Sequence, residues 1–426
     1  MKIWHLEREH DAFVASVCSA REKIRAGVRK RVERIRAEVL ARGDGALAAY
    51  GRRFDGWTDD YSLKISRGEL EAAASRLDKG HVRALKAMIE NVTLFHRGQK
   101  PRVRTYRRRG LKVVERPVPI EKVCIYVPGG TAAYPSSLVM GAVPARIGGV
   151  KEVYAATPTR DGALNPYIAA AALLLGITDV YRIGGAQAIY AFAYGVGSVP
   201  KVDMIVGPGN AYVEEAKRDV YGLVGIDMLA GPSELVILAA EHLSPEVLAW
   251  DLFSQAEHDE MATVGLFSPS EDELYGLLRC MERLISSNKR RAIVERALGA
   301  HGFLVHYTSL DDAIRAIDRI APEHLQVIGD EALAERVRYS GITYIGPYTP
   351  VSMGDYAIGT NHVLPTGGAG RFSSGLSVER FTKRQVLVKI EEPFFKKHGG
   401  WATTLADIEG LYSHGEAIKA RKELSR

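Results

Sequence analysis

The sequence predicts an α/β protein built around parallel, doubly wound sheets, and three observations carry that prediction. Between 123 and 236, short apolar runs end in glycine turns and pass into helical stretches: 123–127 (VCIYV) into Pro128-Gly129-Gly130, 180–183 into Gly184-Gly185, and 202–206 into Gly207-Pro208-Gly209-Asn210. Strands separated by helices run parallel, and right-handed crossovers then bring the glycine turns to the carboxyl edge of one sheet, where open α/β folds bind ligands. The chain has 426 residues, 46% hydrophobic and 25% charged, which is enough to bury two or three separate cores.

Taken from the amino terminus, MKIWHLEREHDAF carries charges throughout and lacks the apolar stretch and small-residue cleavage site of an export signal, so a cytoplasmic protein is expected. Residues 21–42 place Ile24, Val28, Val32, Ile35 and Val39 three and four apart among Arg, Lys and Glu. That is an amphipathic helix, which should stop at Arg42-Gly43-Asp44. Residues 97–116 hold nine Lys or Arg and one acid, but only Tyr106 could stack on a base, and the net charge is just +6. A strand with a solvated basic face is preferred to a nucleic-acid surface. Residues 167–177 (YIAAAALLLGI) are apolar but far shorter than the roughly 20 residues that cross a bilayer, so they read as a buried helix and no membrane partner is expected.

Residues 235–240 (LVILAA) read as another buried strand, and Ser244-Pro245 as the cap and first residue of a helix. The stretch 349–376 is dense in Gly, Ser, Thr and Pro over a length that compact proteins keep for functional loops. The tail from 402 to 424 reads as a helix with one polar side, suited to docking on the body or on a second subunit. Cys18, Cys124 and Cys280 form no CxxC and no pairing pattern, which fits free thiols in a reducing compartment.

Several residues could carry chemistry. Gln255 and His258 are three apart on one helical face, with Asp251 a turn earlier. Were Gln255, His258, Asp355 and His414 to converge, two nitrogens and two oxygens would suit Zn²⁺. Their spacing does not decide between that site and a polar surface. Glu323 and His324 follow the helical stretch 311–320; an acid beside an imidazole there suits general acid–base work, but the residues alone favour a helix-stop turn with a surface ion pair. The fingerprint GxGxxG is absent, since Gly207 and Gly209 lack a third glycine, so the turns leave nucleotide binding undecided.

Nine blocks in order give the chain a resemblance to the histidinol dehydrogenase family: ARGDGAL (41–47), YVPGGTAAYPSS (126–137), GGAQAI (184–189), KVDMIVGPGNAYVEEAKR (201–218), GIDMLAGPSEL (225–235), SQAEHD (254–259), APEHL (321–325), GDYAIGTNHVLPT (354–366) and EGLYSHGEA (409–417). The resemblance implies a zinc-dependent enzyme that oxidises L-histidinol to L-histidine through histidinaldehyde and reduces two NAD⁺, the last step of histidine biosynthesis. It implies zinc ligands at Gln255, His258, Asp355 and His414, and acid/base residues at Glu323 and His324. NAD contacts fall on Tyr126, Gln187 and Asn210, and substrate contacts on Ser233, His362 and Glu409 in addition to the ligands and the acid/base pair. The resemblance also implies a homodimer whose C-terminal segment reaches the neighbouring subunit. Two other readings stay open: a zinc- and NAD-dependent relative acting on another small diol or amino alcohol such as sulfopropanediol, and a zinc hydrolase.

The expected organisation is two incomplete Rossmann-like doubly wound domains, one inserted in the other. Residues 123–236 form the inserted, NAD-binding one, and 25–122 with 237–376 form the larger one carrying the metal and acid/base residues. Residues 1–24 and 377–426 are small extensions.

Overall fold

The βα repeat becomes five parallel strands in the computed structural model, which describes residues 1–23, 28–58, 61–129 and 133–425. The strands are Lys122–Tyr126, Glu152–Ala156, Val180–Tyr181, Met204–Val206 and Gly225–Ile226. The first sits in the middle, the second and third lie on one side and the fourth and fifth on the other, with Lys64–Ile65 added antiparallel at the edge beside Val180–Tyr181. The order therefore reverses between Lys122–Tyr126 and Met204–Val206, which opens a crevice at their carboxyl ends.

A second sheet repeats the plan. Glu234–Ala239 is central, flanked by Thr263–Ser268 and Phe303–His306 on one side and by His324–Ile328 and Ile342–Ile345 on the other. All are parallel, and the amino-terminal strand Lys2–His5 extends the sheet beyond Phe303–His306. Both sheets are covered on both faces. In the first, Val123, Ile125 and Val127 enter one apolar core while Cys124 and Tyr126 enter the other. In the second, Leu235 and Ile237 face one core while Val236 and Leu238 face the opposite one. Near-continuous apolar strands of this kind are what a parallel sheet between helical layers requires. A third sheet is antiparallel, with Leu111–Pro119 between Arg104–Arg108 and Thr382–Ile390. Seventeen α-helices occur among the described residues.

Three expectations need correction. Residues 25–122 are expected to join 237–376, yet the apolar faces of 32–92 pack on the other sheet. Val32 and Val39 of helix Arg29–Arg42, Leu47 and Tyr50 of Asp44–Phe54, and Trp57 join one of its cores; Leu70, Ala73, Met88 and Val92 join the other. The amino-terminal residues are no mere extension, because Lys2–His5 pairs with Phe303–His306 and Phe13, Val14 and Val17 of helix Leu6–Lys23 are buried beneath it. The helix expected over 21–42 spans Arg29–Arg42; it ends at Gly43 with φ +56, as the Arg42-Gly43-Asp44 turn suggested, while Ile24 and Gly130 lie outside the described residues. No helix among the described residues is long and apolar enough to cross a membrane, and 167–177 is largely the buried helix Pro166–Leu174.

Candidate active site

Two sheet edges supply the candidate residues. Tyr126 ends the central strand of the first sheet, and its hydroxyl oxygen accepts a hydrogen bond from the Gly185 N–H at 3.0 Å. Gly185 begins the helix on which Gln187 is buried. Asn210 caps helix Ala211–Val220, its side-chain oxygen accepting from the N–H groups of Tyr212 and Val213 at 3.0 and 3.2 Å. Gly207 precedes it with φ +123, and a Cβ there would run into the Tyr126 carbonyl oxygen, so only glycine lets these two strand ends approach. All of this lies at the carboxyl edge of the first sheet.

A buried ion pair fixes that edge. Lys217, fully buried, places Nζ 2.6 Å from Asp227 Oδ1 and donates to the Gly207 carbonyl at 3.0 Å. Asp227 accepts from the N–H groups of Gly207 and Met228 at 2.7 and 2.8 Å. Burial pushes nearby Glu214 up to about 7, although Lys217 pulls it down. Burial opposes the charge on Lys217, but Asp227 and Glu214 outweigh it and hold the ammonium above the ordinary lysine value. From Asp227 the chain runs in seven residues to Glu234, the start of the second sheet's central strand.

The second group sits at the amino edge of that second sheet. Helix Leu310–Ile320 ends at Ala321, a non-glycine residue held at φ +46, and Pro322 leads into Glu323 and His324 at the start of strand His324–Ile328. A left-handed alanine costs about 1–2 kcal/mol, and strain of this kind concentrates at functional sites. Glu323 and Glu234 grip each other: the Glu234 N–H donates to Glu323 Oε2 at 2.9 Å, and the Glu323 N–H donates to Glu234 Oε2 at 3.3 Å. The Gly367 N–H donates to the other Glu234 oxygen at 3.2 Å, and the Gly231 N–H donates to the Thr366 hydroxyl. Ser233, one residue before Glu234, is half-buried and accepts through its carbonyl from the Thr263 N–H at 2.9 Å.

His324 Nε2 is 3.6 Å from Glu323 Oε1, too far for a direct hydrogen bond, and its buried Nδ1 has no hydrogen-bond partner among the described residues. Its ring stacks on Tyr344 with centroids 6.0 Å apart at 25°. Burial, with His362 and His258 nearby, drives His324 down to about 3. Burial and His258 also lower His362 to about 4, against the Asp355 carbonyl, to which His362 Nδ1 donates at 3.3 Å. Burial pushes Asp355 up to about 7 despite a hydrogen bond from Gln255. Glu323 is pushed well above the carboxylate range, by burial first and then by the charges of Glu234 and Asp355. At neutral pH this leaves uncharged imidazoles facing carboxyl groups that hold protons unusually well.

A family model described as histidinol dehydrogenase matches residues 19–422. The chain belongs to the histidinol dehydrogenase family. It is 42% identical over 412 residues to the histidinol dehydrogenase of Geobacillus kaustophilus, covering 95% of this chain and 97% of that one. It is 41% identical over 418 residues to that of Geobacter metallireducens, covering 96% and 95%. The crystal structure of histidinol dehydrogenase from Elizabethkingia anophelis superposes with a TM-score of 0.92 at 30% identity, covering 100% of this chain and 99% of that one.

In this histidinol dehydrogenase fold Gln255 and Asp355 touch, and His258 lies close enough to act on His324 and His362. Two local expectations change. Helix Pro245–Ala256 stops before His258, and Asp251 turns to accept from Gln326 at 2.9 Å. Asp355 sits on the short helix Val351–Tyr356 and not in a loop. Glu409, which caps the end of helix Glu392–Ile408, and His414, on helix Tyr412–Ala420, are both exposed, and the two helices pack on each other. Sequence reasoning missed Glu234, Tyr344, Lys217 and Asp227. Glu234 had a signal, since a buried acid opening an apolar strand needs a partner, whereas the Tyr344 contact is purely tertiary.

Proposed function

We propose that the protein oxidises L-histidinol to L-histidine through histidinaldehyde, with zinc and NAD⁺, as a cytoplasmic homodimer that completes the last step of histidine biosynthesis. The observation that carries this reading is the buried Glu323–His324 pair, set at one sheet edge, with Tyr126, Gln187 and Asn210 at the carboxyl edge of the other. We read each sheet as an incomplete Rossmann-like unit, because both follow the same central-strand order.

The residues present fit a zinc ion. Gln255, His258 and Asp355 offer oxygen and nitrogen donors, and Asp355 is buried where its charge is disfavoured unless a cation lies beside it. His414 and Glu409 of a second copy would complete the site. Exposed Val386, Val388, Trp401, Leu405, Ile408 and Tyr412 on the C-terminal arm support that exchange, as a lone monomer would leave this apolar surface in water. When bound, zinc would hold the substrate's amine and imidazole nitrogens, and NAD⁺ would accept hydride.

The balanced reaction is RCH₂OH + 2 NAD⁺ + H₂O → RCOO⁻ + 2 NADH + 3 H⁺. His324, kept neutral by burial, has a lone pair free to take the alcohol proton. Glu323, 3.6 Å away and fixed by Glu234, is placed to pass that proton on and to take one from the water that adds to the aldehyde. Its raised proton affinity makes the ionised carboxylate a stronger base. Ser233, His362 and Glu409 would read the substrate. A substrate panel followed by NADH absorbance tests the proposal. Histidinol should give NADH; turnover of a sulfonated diol in its place, or hydrolysis without nicotinamide, would overturn it.

A further inference from the structure

The second sheet carries a further cluster of chemistry-bearing side chains at its opposite, carboxyl edge. In the parallel pairing of Lys2–His5 with Phe303–His306, the last residues His5 and His306 are register partners, so both side chains leave the same face of the sheet. The neighbouring strand Thr263–Ser268 turns at once into helix Glu271–Leu284, whose first residue is Glu271. The three side chains meet there, their nearest ligand atoms all within 4.8 Å of one another.

The geometry points to a cation between them. Glu271 Oε1 lies 3.5 Å from His5 Nδ1 and 3.8 Å from His306 Nδ1, both longer than a hydrogen bond. Two donors each about 2.0–2.1 Å from a tetrahedral zinc ion lie about 3.3 Å apart, close to these separations. The tautomer of His306 also fits. Its Nε2 pairs with the Pro269 carbonyl at 3.2 Å, and since a carbonyl can only accept, Nε2 carries the proton. Nδ1 is then the lone-pair nitrogen; it is buried, has no hydrogen-bond partner among the described residues, and faces the Glu271 carboxylate. A backbone carbonyl that orients one ring nitrogen while the other is presented for coordination is the usual support of a metal-bound histidine.

We propose that His5, Glu271 and His306 form a second divalent-metal site, selective for ions of the zinc class, that clasps the amino-terminal strand to the sheet. Two imidazoles and one carboxylate leave a coordination position for water, and the partly exposed Glu271 and His5 give the ion an entry path. The site lies at the carboxyl ends of the strands, whereas Glu323 and His324 lie at the amino end, three strand positions across the sheet. At about 4.8 Å per strand that separation is about 14 Å sideways alone, so the site is independent of the catalytic one.

The test uses the untagged full-length chain, stripped with chelator and titrated with Zn²⁺ alone, with bound metal counted per chain after desalting. Wild type should hold one equivalent more than His5→Ala or Glu271→Ala, with Zn²⁺ binding at that equivalent weakened at least tenfold. Both side chains are a third or more exposed, so neither variant threatens the fold. The metal-loaded variants should keep wild-type turnover within twofold, and wild type alone should gain thermal stability from the second equivalent. The difference between wild type and variants is what counts, so a failure of the proposed catalytic zinc would lower both totals and leave that difference intact. Equal metal content in all three proteins, or a lost equivalent that takes turnover with it, would overturn the proposal.

Discussion

Replacing Lys217 by Met removes the only cation from the buried Lys217–Asp227 pair while keeping the length of the side chain. Both side chains are fully buried, and among the described residues the Asp227 carboxylate would keep the two backbone donors, Gly207 and Met228. Stripping one partner from such a pair costs about 3–5 kcal/mol, because the remaining charge stays out of water. At about 1.4 kcal/mol per factor of ten, the folded-to-unfolded ratio should fall between two and four powers of ten, a large share of the roughly 5–15 kcal/mol that holds a typical domain together. Urea unfolding followed by tryptophan fluorescence measures this. The double variant Lys217→Met/Asp227→Asn should recover much of the loss, since it removes the Asp227 charge and leaves Glu214, already raised to about 7 by burial, able to hold its proton. KM for NAD⁺ should rise in the single variant, because the Gly207 carbonyl loses its anchor. A single variant within about 1 kcal/mol of wild type, or a double variant no more stable than the single, would refute the reasoning.

Further outcomes are expected. His324→Ala should keep its metal and fall in kcat by roughly 10²–10⁴, the usual contribution of a general base, whereas His258→Ala should lose metal; metal analysis beside steady-state NADH formation separates the two. Burial raises Asp55 to about 7 from 3.8, so its carboxyl contributes stability below about pH 4 that disappears as pH rises towards 7. Asp55→Asn should therefore match wild type near pH 4 and exceed it in Tm above pH 7, and a gap that does not change with pH would contradict this. A methyl group on Gly354 would collide with the Tyr344 ring and hydroxyl. Gly354→Ala should cost about 1–3 kcal/mol in urea unfolding and lower kcat by disturbing the ring stacked on His324.

Much of the fold was written locally. Apolar runs ending in glycine turns announce parallel strands, since Gly207 at φ +123 does a job no other residue could. The partition of the chain was not legible, because the apolar stripes of 29–97 fit any sheet surface and only tertiary packing selects one. Strand Lys2–His5 is not legible for a related reason: four residues flanked by charge give no periodicity until they meet Phe303–His306. For the site, the spacing of Gln255 and His258 indicated one helical face, but the helix ends at Ala256, and what joins His258 to His324 and His362 is proximity across chain segments. The same holds for Glu323 and Glu234, 89 residues apart and bonded reciprocally at the starts of neighbouring strands. Glu409 and His414 are exposed, and no pattern in the sequence distinguishes them from ordinary surface residues.

The most direct test is the yield of NADH from a limiting amount of L-histidinol, with and without chelator. The account predicts two NADH for each histidinol consumed, loss of turnover on chelation and its return with Zn²⁺. A yield of one, or full turnover in the presence of chelator, would contradict it.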